Sequence, residues 1–337
     1  MRGTDDDVPG NGADAADLPV VAEVVRSGLV ESRHRGSVVV LAPGGEVAWA
    51  LGDVRTPMYP RSANKPMQAA GMVRCGLDVD GELLALVGGS HDGEDFHVEG
   101  VRRVLAAAGL HEAALRCPSS WPEHDDTRTR LIRAGEEPTA IRMNCSGKHA
   151  GMLATCVRRG WSVDDYLRPD HPLQRALAAT VAELAGEDVA HIGVDGCGAP
   201  LFALSLAGLA RAFRAMALAA SGTAERRVVD AVRAHPLWAS GTCRDEAALV
   251  AAVPGLFAKS GAEACYAVAL ADGTAVACKV DDGSQRARPV VMAAVLRRLG
   301  LDVPVIHAQA TEPLHGGGRP VGEVRAASVL TAGSMAG

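Results

Sequence analysis

At 337 residues, 48% of them hydrophobic, the chain is long enough to bury a large core in one large domain or two small ones. A net charge of −6, 3% aromatics and no basic run argue against nucleic acid as a partner. No apolar stretch reaches the length of a membrane span, so no membrane partner is expected. The acidic start, Asp5-Asp6-Asp7, lacks the basic and apolar parts of a signal peptide, and a cytoplasmic location is expected. Eight cysteines scattered over a long intracellular chain predict free thiols, some of them metal ligands, rather than a disulfide framework.

Residues 1–18, rich in Gly, Asp, Pro and Ala without periodicity, predict a disordered tail, and 19–337 a single domain. Residues 20–32 are β-rich, and the runs 36–42 and 47–52 flank the turn residues Pro43-Gly44-Gly45-Glu46, a hairpin signal. A helix then opens at Ser62 or Ala63, because Pro66 is tolerated only in a first turn. Residues 82–87 form a short apolar segment ending on Gly88-Gly89-Ser90-His91. Helical spacing follows over 98–108, 176–184 and 201–216, with an irregular surface excursion at 117–142. Asn144 to Leu153 passes from a tight turn into a helix, and 192–200 is a short strand entering a Gly-rich turn. Strands at 263–270 and 274–280, joined by Ala271-Asp272-Gly273, precede a helix at 289–299 and a last strand at 324–330. The expected fold class is therefore α/β, an antiparallel sheet drawn from both chain ends around a central helical region.

Four stretches carry reactive residues that packing does not require. Ser62 and Lys65 stand three apart at a helix N-terminus, where such pairs touch and the dipole favours an alkoxide and a deprotonated lysine. The ordinary alternative is an N-cap serine beside a solvated lysine. Ser90 follows two glycines, on backbone that can bend sharply and let a ligand approach. Lys259-Ser260-Gly261 precedes a strand, and the order Ser-x-x-Lys, Ser, Lys-Ser-Gly is that of serine β-lactamases and penicillin-binding proteins. Cys145 and Cys197 both lie in Gly-rich turns. Two thiolates with a nitrogen donor suit zinc, and spacing alone favours His149 or Asp195 as the third ligand over Lys148.

Taken together, Arg61-Ser-Ala-Asn-Lys-Pro-Met-Gln68, Gly89-Ser-His-Asp-Gly-Glu94, Met143-Asn-Cys-Ser-Gly-Lys-His149, Gly193-Val-Asp-Gly-Cys-Gly-Ala-Pro200, His235-Pro236, Lys259-Ser-Gly-Ala-Glu263 and Lys279-Val-Asp-Asp-Gly283 resemble the asparaginase II family, the inducible, rhizobial-type L-asparaginases. The resemblance runs in register from about Val20 to the C-terminal region. Trp238 and Cys243 depart from the family pattern, away from the expected site. It implies hydrolysis of L-asparagine to L-aspartate and ammonia on a serine β-lactamase-like fold, and a homodimer. It also implies Zn2+ held by Cys145, Lys148 and Cys197, promoting the lysine that spacing demotes. An amide, a poor electrophile with a poor leaving group, needs an activated nucleophile, oxyanion donors and a proton for ammonia. Ser62 is assigned as nucleophile and Lys65 as its base, with Ser90 and Lys259 as a second Ser–Lys pair. Arg61, His91, Asn144, Asp195 and Ser260 are expected at the substrate. The alternatives are a zinc-bound water as nucleophile and a β-lactamase or peptidase reaction.

Overall fold

The computed structural model describes residues 17–332; the expected tail lies, except for Asp17 and Leu18, outside the described residues. In chain order the strands are β1 (Val20–Arg26), β2 (Leu29–Leu41), β3 (Val47–Leu51), β4 (His191–Val194), β5 (Pro200–Ala203), β6 (Phe257–Gly261), β7 (Cys265–Ala269), β8 (Ala275–Val280), β9 (Thr311–Gly316) and β10 (Arg319–Ala326). The helices begin with α1 (Lys65–Arg74), α2 (Gly81–Val87), α3 (Asp95–Ala107), α4 (Asp125–Arg133), α5 (Ser146–Arg159) and α6 (Pro172–Ala185). They continue with α7 (Leu206–Ala217), α8 (Ala224–Ala234), α9 (Pro236–Ala239), α10 (Asp245–Ala252), α11 (Ala287–Arg298), α12 (Pro304–Ala308) and α13 (Ser328–Thr331).

One antiparallel sheet runs β6-β7-β8-β2-β1-β10-β9, with β3 also paired to β2. The long β2 joins its two halves: its first part pairs β1 (Arg35 opposite Val20), and its second pairs β8 (Gly36 opposite Val280) and β3. Strands from both chain ends thus share a sheet around a helical middle, as the sequence predicts. The pleat sorts the two faces. Val39, Leu41, Phe257, Cys265, Ala267 and Ala277 pack against the helical middle, while Val38, Val40, Ala258, Tyr266, Val268 and Cys278 pack against α11. With both faces covered, these strands read as continuous apolar runs rather than as alternation.

Three local expectations change. The helix expected over 201–216 divides: Pro200–Ala203 pairs with β4, and Ser205 caps a separate α7 by accepting the Gly208 N–H. A fully buried strand and a buried helix turn look alike in sequence. The excursion at 117–142 contains α4, whose narrow apolar face buries only Thr127 and Leu131, too little to give a periodic signal. At the C-terminus the last strand starts earlier, at Arg319, and pairs through the Gly317-Gly318 turn with β9, while Ser328–Thr331 is helical. All eight cysteines are free thiols. Among the described residues, no helix is long and apolar enough to cross a membrane.

Candidate active site and metal centre

Ser62 sits in a single 3-10 turn, Arg61–Asn64, that runs directly into α1, with Pro66 in the first turn of α1. Ser62 is half-buried, while Ala63, Asn64 and Lys65 behind it are buried. The edge of β6 presses against this turn. A Cβ on Gly261 would lie 2.4 Å from the Pro60 carbonyl and 3.3 Å from the Ser62 nitrogen, so the glycine of Lys-Ser-Gly is what lets strand and turn meet. The backbone is strained at the same place: among the described residues, three of the four non-glycine residues with positive φ are Arg61, Glu263 and Ala264, and such positions typically cost about 1–3 kcal/mol each. Gly261→Ala should therefore push β6 off the Ser62 turn. Turnover should fall about 10²-fold, the scale of a small misplacement at a reacting centre, with circular dichroism unchanged. Wild-type turnover in this variant would show that the contact does not matter.

The lysines partner differently from the expectation. Lys65, 1% exposed, donates from Nζ to Ser90 Oγ at 2.8 Å and reaches the Asn144 carbonyl at 3.5 Å. Spacing pairs Lys65 with Ser62, but the four-carbon arm also spans the gap to the loop after α2. That loop is held from behind, where the Ser90 N–H donates to the Ala239 carbonyl at 2.8 Å. Lys259 does not bond Ser90. Its Nζ donates to Glu246 Oε1 at 2.7 Å and to the Ser260 carbonyl at 2.8 Å, and Glu246 Oε2 accepts the Ser260 N–H at 3.1 Å. Burial pulls the Lys259 ammonium below its ordinary pKa, against the opposing pull of Glu246. Burial alone would raise Glu246, but Lys259 and Arg288 outweigh it and hold the carboxyl below its usual range. Sequence reasoning missed Glu246, an ordinary first-turn acid in sequence.

Two residues expected at the substrate are elsewhere. His91 is fully buried with both nitrogens in use: Nε2 donates to Ser146 Oγ at 2.9 Å and Nδ1 accepts the Gly93 N–H at 3.1 Å. Burial, with His97 and Lys65 adding to it, holds the imidazole well below its ordinary pKa, and His91 is a core histidine. Ser260 alternates away from Lys259 on the strand and meets the site through its main chain. Asn144 does border it, accepting the His91 N–H at its carbonyl and donating its side chain to Glu123. Arg244, also missed, bridges Asp92 and Glu123 at the same rim. Arg61 donates to Asp195 Oδ1 at 2.8 Å and lies 3.7 Å from Glu263.

Asp195 leads from Arg61 to the thiols. The Cys145 and Cys197 sulfurs and an Asp195 oxygen all lie within 4.8 Å of one another. Lys148, 2% exposed and one helical turn from Cys145, donates to Cys197 Sγ at 3.2 Å. The Cys145 thiol and the Lys148 ammonium hold Cys197 far below the usual thiol range despite burial, and Cys145, sharing its proton with Cys197 and buried, is pushed up. Burial draws Lys148 down, but the two sulfurs outweigh it and raise it. His149 bonds Tyr166 through Nδ1 at 2.7 Å, and its Nε2 is buried without a hydrogen-bond partner among the described residues. A thiolate, a second sulfur and a carboxylate within reach of one point, with the Lys148 nitrogen against Cys197, form a four-donor set that fits a soft tetrahedral ion such as zinc.

The profile of the family described as L-asparaginase II matches residues 22–326. The chain belongs to the L-asparaginase II family. Membership in this hydrolase family covers every residue of the site just described. No curated protein matches the chain. Among solved structures it is similar to a β-lactamase from Mycobacterium bovis, at 16% identity and a TM-score of 0.44, covering 78% of this chain and 94% of that one. It is also similar to Mglu in its native form, at 15% identity and a TM-score of 0.44, covering 85% and 68%.

Proposed function

We propose that this member of the L-asparaginase II family hydrolyses L-asparagine to L-aspartate and ammonia by covalent catalysis at Ser62. The observation that carries the reading is the Lys65–Ser90 hydrogen bond of 2.8 Å, one helical turn from Ser62. Lys65, at the start of the helix into which the Ser62 turn runs, takes the hydroxyl proton as Ser62 Oγ attacks the side-chain amide carbon. Ser90, already bonded to Lys65, passes a proton to the departing nitrogen, so ammonia leaves rather than an amide anion. The remaining ester is opened by water, which gives a proton back along the same path and restores Ser62 with release of L-aspartate. The Ser62 N–H, at the start of the turn that leads into α1, is assigned to the oxyanion. The α-carboxylate is assigned to the guanidinium of Arg61, which Asp195 orients, and Lys259 adds a second positive charge. Zinc held by Cys145, Lys148 and Cys197 would contribute a fixed positive charge that ties the turn before α5 to the β4–β5 turn.

The test is ammonia release from L-Asn, D-Asn and L-Gln beside turnover of a chromogenic β-lactam. L-Asn should be hydrolysed far faster than L-Gln, with the β-lactam untouched. Comparable β-lactam turnover would move the reading to a β-lactamase reaction.

A further inference from the structure

Residues 239–246 run from the Ser90 loop to the β6 edge and are pinned along their length. The Ala239 carbonyl accepts the Ser90 N–H, Thr242 donates its N–H and hydroxyl to Glu94 at 3.0 Å each, and Arg244 reaches Asp92. The last anchor is Glu246, 4% exposed, in the first turn of α10. β6 is the outermost strand of the sheet, so the outward N–H of Ser260 has no strand to pair with, and Glu246 takes it. The other Glu246 oxygen takes the Lys259 ammonium, which spends a second proton on the Ser260 carbonyl. A lysine has three donors, so one is left unspent by these two bonds. The charged groups around the pair are Lys65 from α1, Arg244 from the 239–246 segment, Arg288 from α11 and Asp245 beside Glu246.

We propose that Glu246 is the positioning residue of Lys259: it clamps the lysine to the β6 edge as a fixed cation, short of Ser90, leaving Lys65 as the lysine that serves both serines. This rests on the proposed amide hydrolysis and deepens it. A fixed cation contributes to binding, whereas a lysine in a proton relay contributes to the chemical step. Glu246→Gln keeps the shape and removes the charge. It should raise KM for L-asparagine by about 10²-fold, as for a binding group misplaced by about 1 Å, with kcat within a few-fold of wild type. Glu246→Asp, which keeps the charge, should recover part of the loss. A fall in kcat at unchanged KM would overturn the proposal, because it would place Lys259 in the relay.

Two measurements stand apart from the substrate. In the crystal structure of Glu246→Gln, Lys259 Nζ should have left the Ser260 carbonyl; an unmoved lysine overturns the clamp. In thermal unfolding, Glu246→Gln and Lys259→Met should each lower Tm, and the double variant should lose less than their sum, since neutralising both partners leaves no uncompensated buried charge. Additive losses would overturn the pairing. Should Glu246→Gln not fold alone, the double variant should fold, and its failure would count against the clamp. Wild-type protein that releases no ammonia from L-asparagine would remove the proposed activity, and these two readouts would still decide whether Glu246 holds Lys259.

Discussion

Ser62→Ala should abolish turnover, by about 10⁶-fold on the scale seen when a covalent nucleophile is removed, together with any covalent intermediate. Ser90→Ala should slow the reaction by about 10²–10⁴-fold, as for a lost acid–base partner. The structure sharpens this contrast, because Lys65 bonds Ser90 rather than Ser62, which makes Ser90 the rival nucleophile. Ser62 has the stronger case on position. It lies at the open end of a turn continuous with α1 and carries the N–H against which β6 closes. There the dipole stabilises a developing alkoxide. Mass spectrometry after a rapid quench, or with a reactive-ketone analogue of asparagine, should find the adduct on Ser62. An adduct on Ser90 that survives Ser62→Ala would reverse the assignment. No adduct on either serine, with turnover abolished by chelation, would favour a metal-bound water as nucleophile.

Elemental analysis of protein purified without chelator should find about one zinc per chain, the count for a single site of this donor type. Cys145→Ser and Cys197→Ser should each lose it, because each removes a sulfur from a cluster whose donor atoms already lie within 4.8 Å. Lys148→Met should lose it as well, while Lys148→Arg, which keeps the charge near Cys197 but cannot give up its proton, should not restore binding. An ion that binds the folded chain and not the unfolded one stabilises it, so saturating zinc should raise Tm and chelator should lower it. Metal retained at full occupancy in both cysteine variants would place the ligands elsewhere.

Much of the fold is legible in the sequence. The paired apolar runs at both chain ends, with Pro43-Gly44-Gly45-Glu46 and Ala271-Asp272-Gly273 between them, predict the hairpins that β2–β3 and β7–β8 form. Such signals are short-range: turn chemistry and side-chain period act within a few residues, so they survive in a bare sequence. Errors fall where the tertiary setting overrides that period. Pro200–Ala203 is buried along its whole length beside β4 and reads as the start of α7, and α4 touches the core through so narrow a face that its period is invisible.

The sequence by itself determined which chemical groups the protein brings and in what order: Ser62, Lys65, Ser90, Cys145, Lys148, Cys197 and Lys259, all but the last on a turn or in the first turn of a helix. Gly261 belongs to that set, although only the contact with Pro60 and Ser62 reveals why a glycine stands there. Which groups touch was decided by the tertiary structure alone. Lys65 and Ser90 are 25 residues apart and Lys148 and Cys197 are 49 apart, distances over which no local pattern constrains a long, flexible side chain. Burial chose among the available partners. It moved His91 into the core with both nitrogens satisfied, and it gave Lys259 to Glu246, because a buried ammonium without a counter-charge is far costlier than one held by a carboxylate.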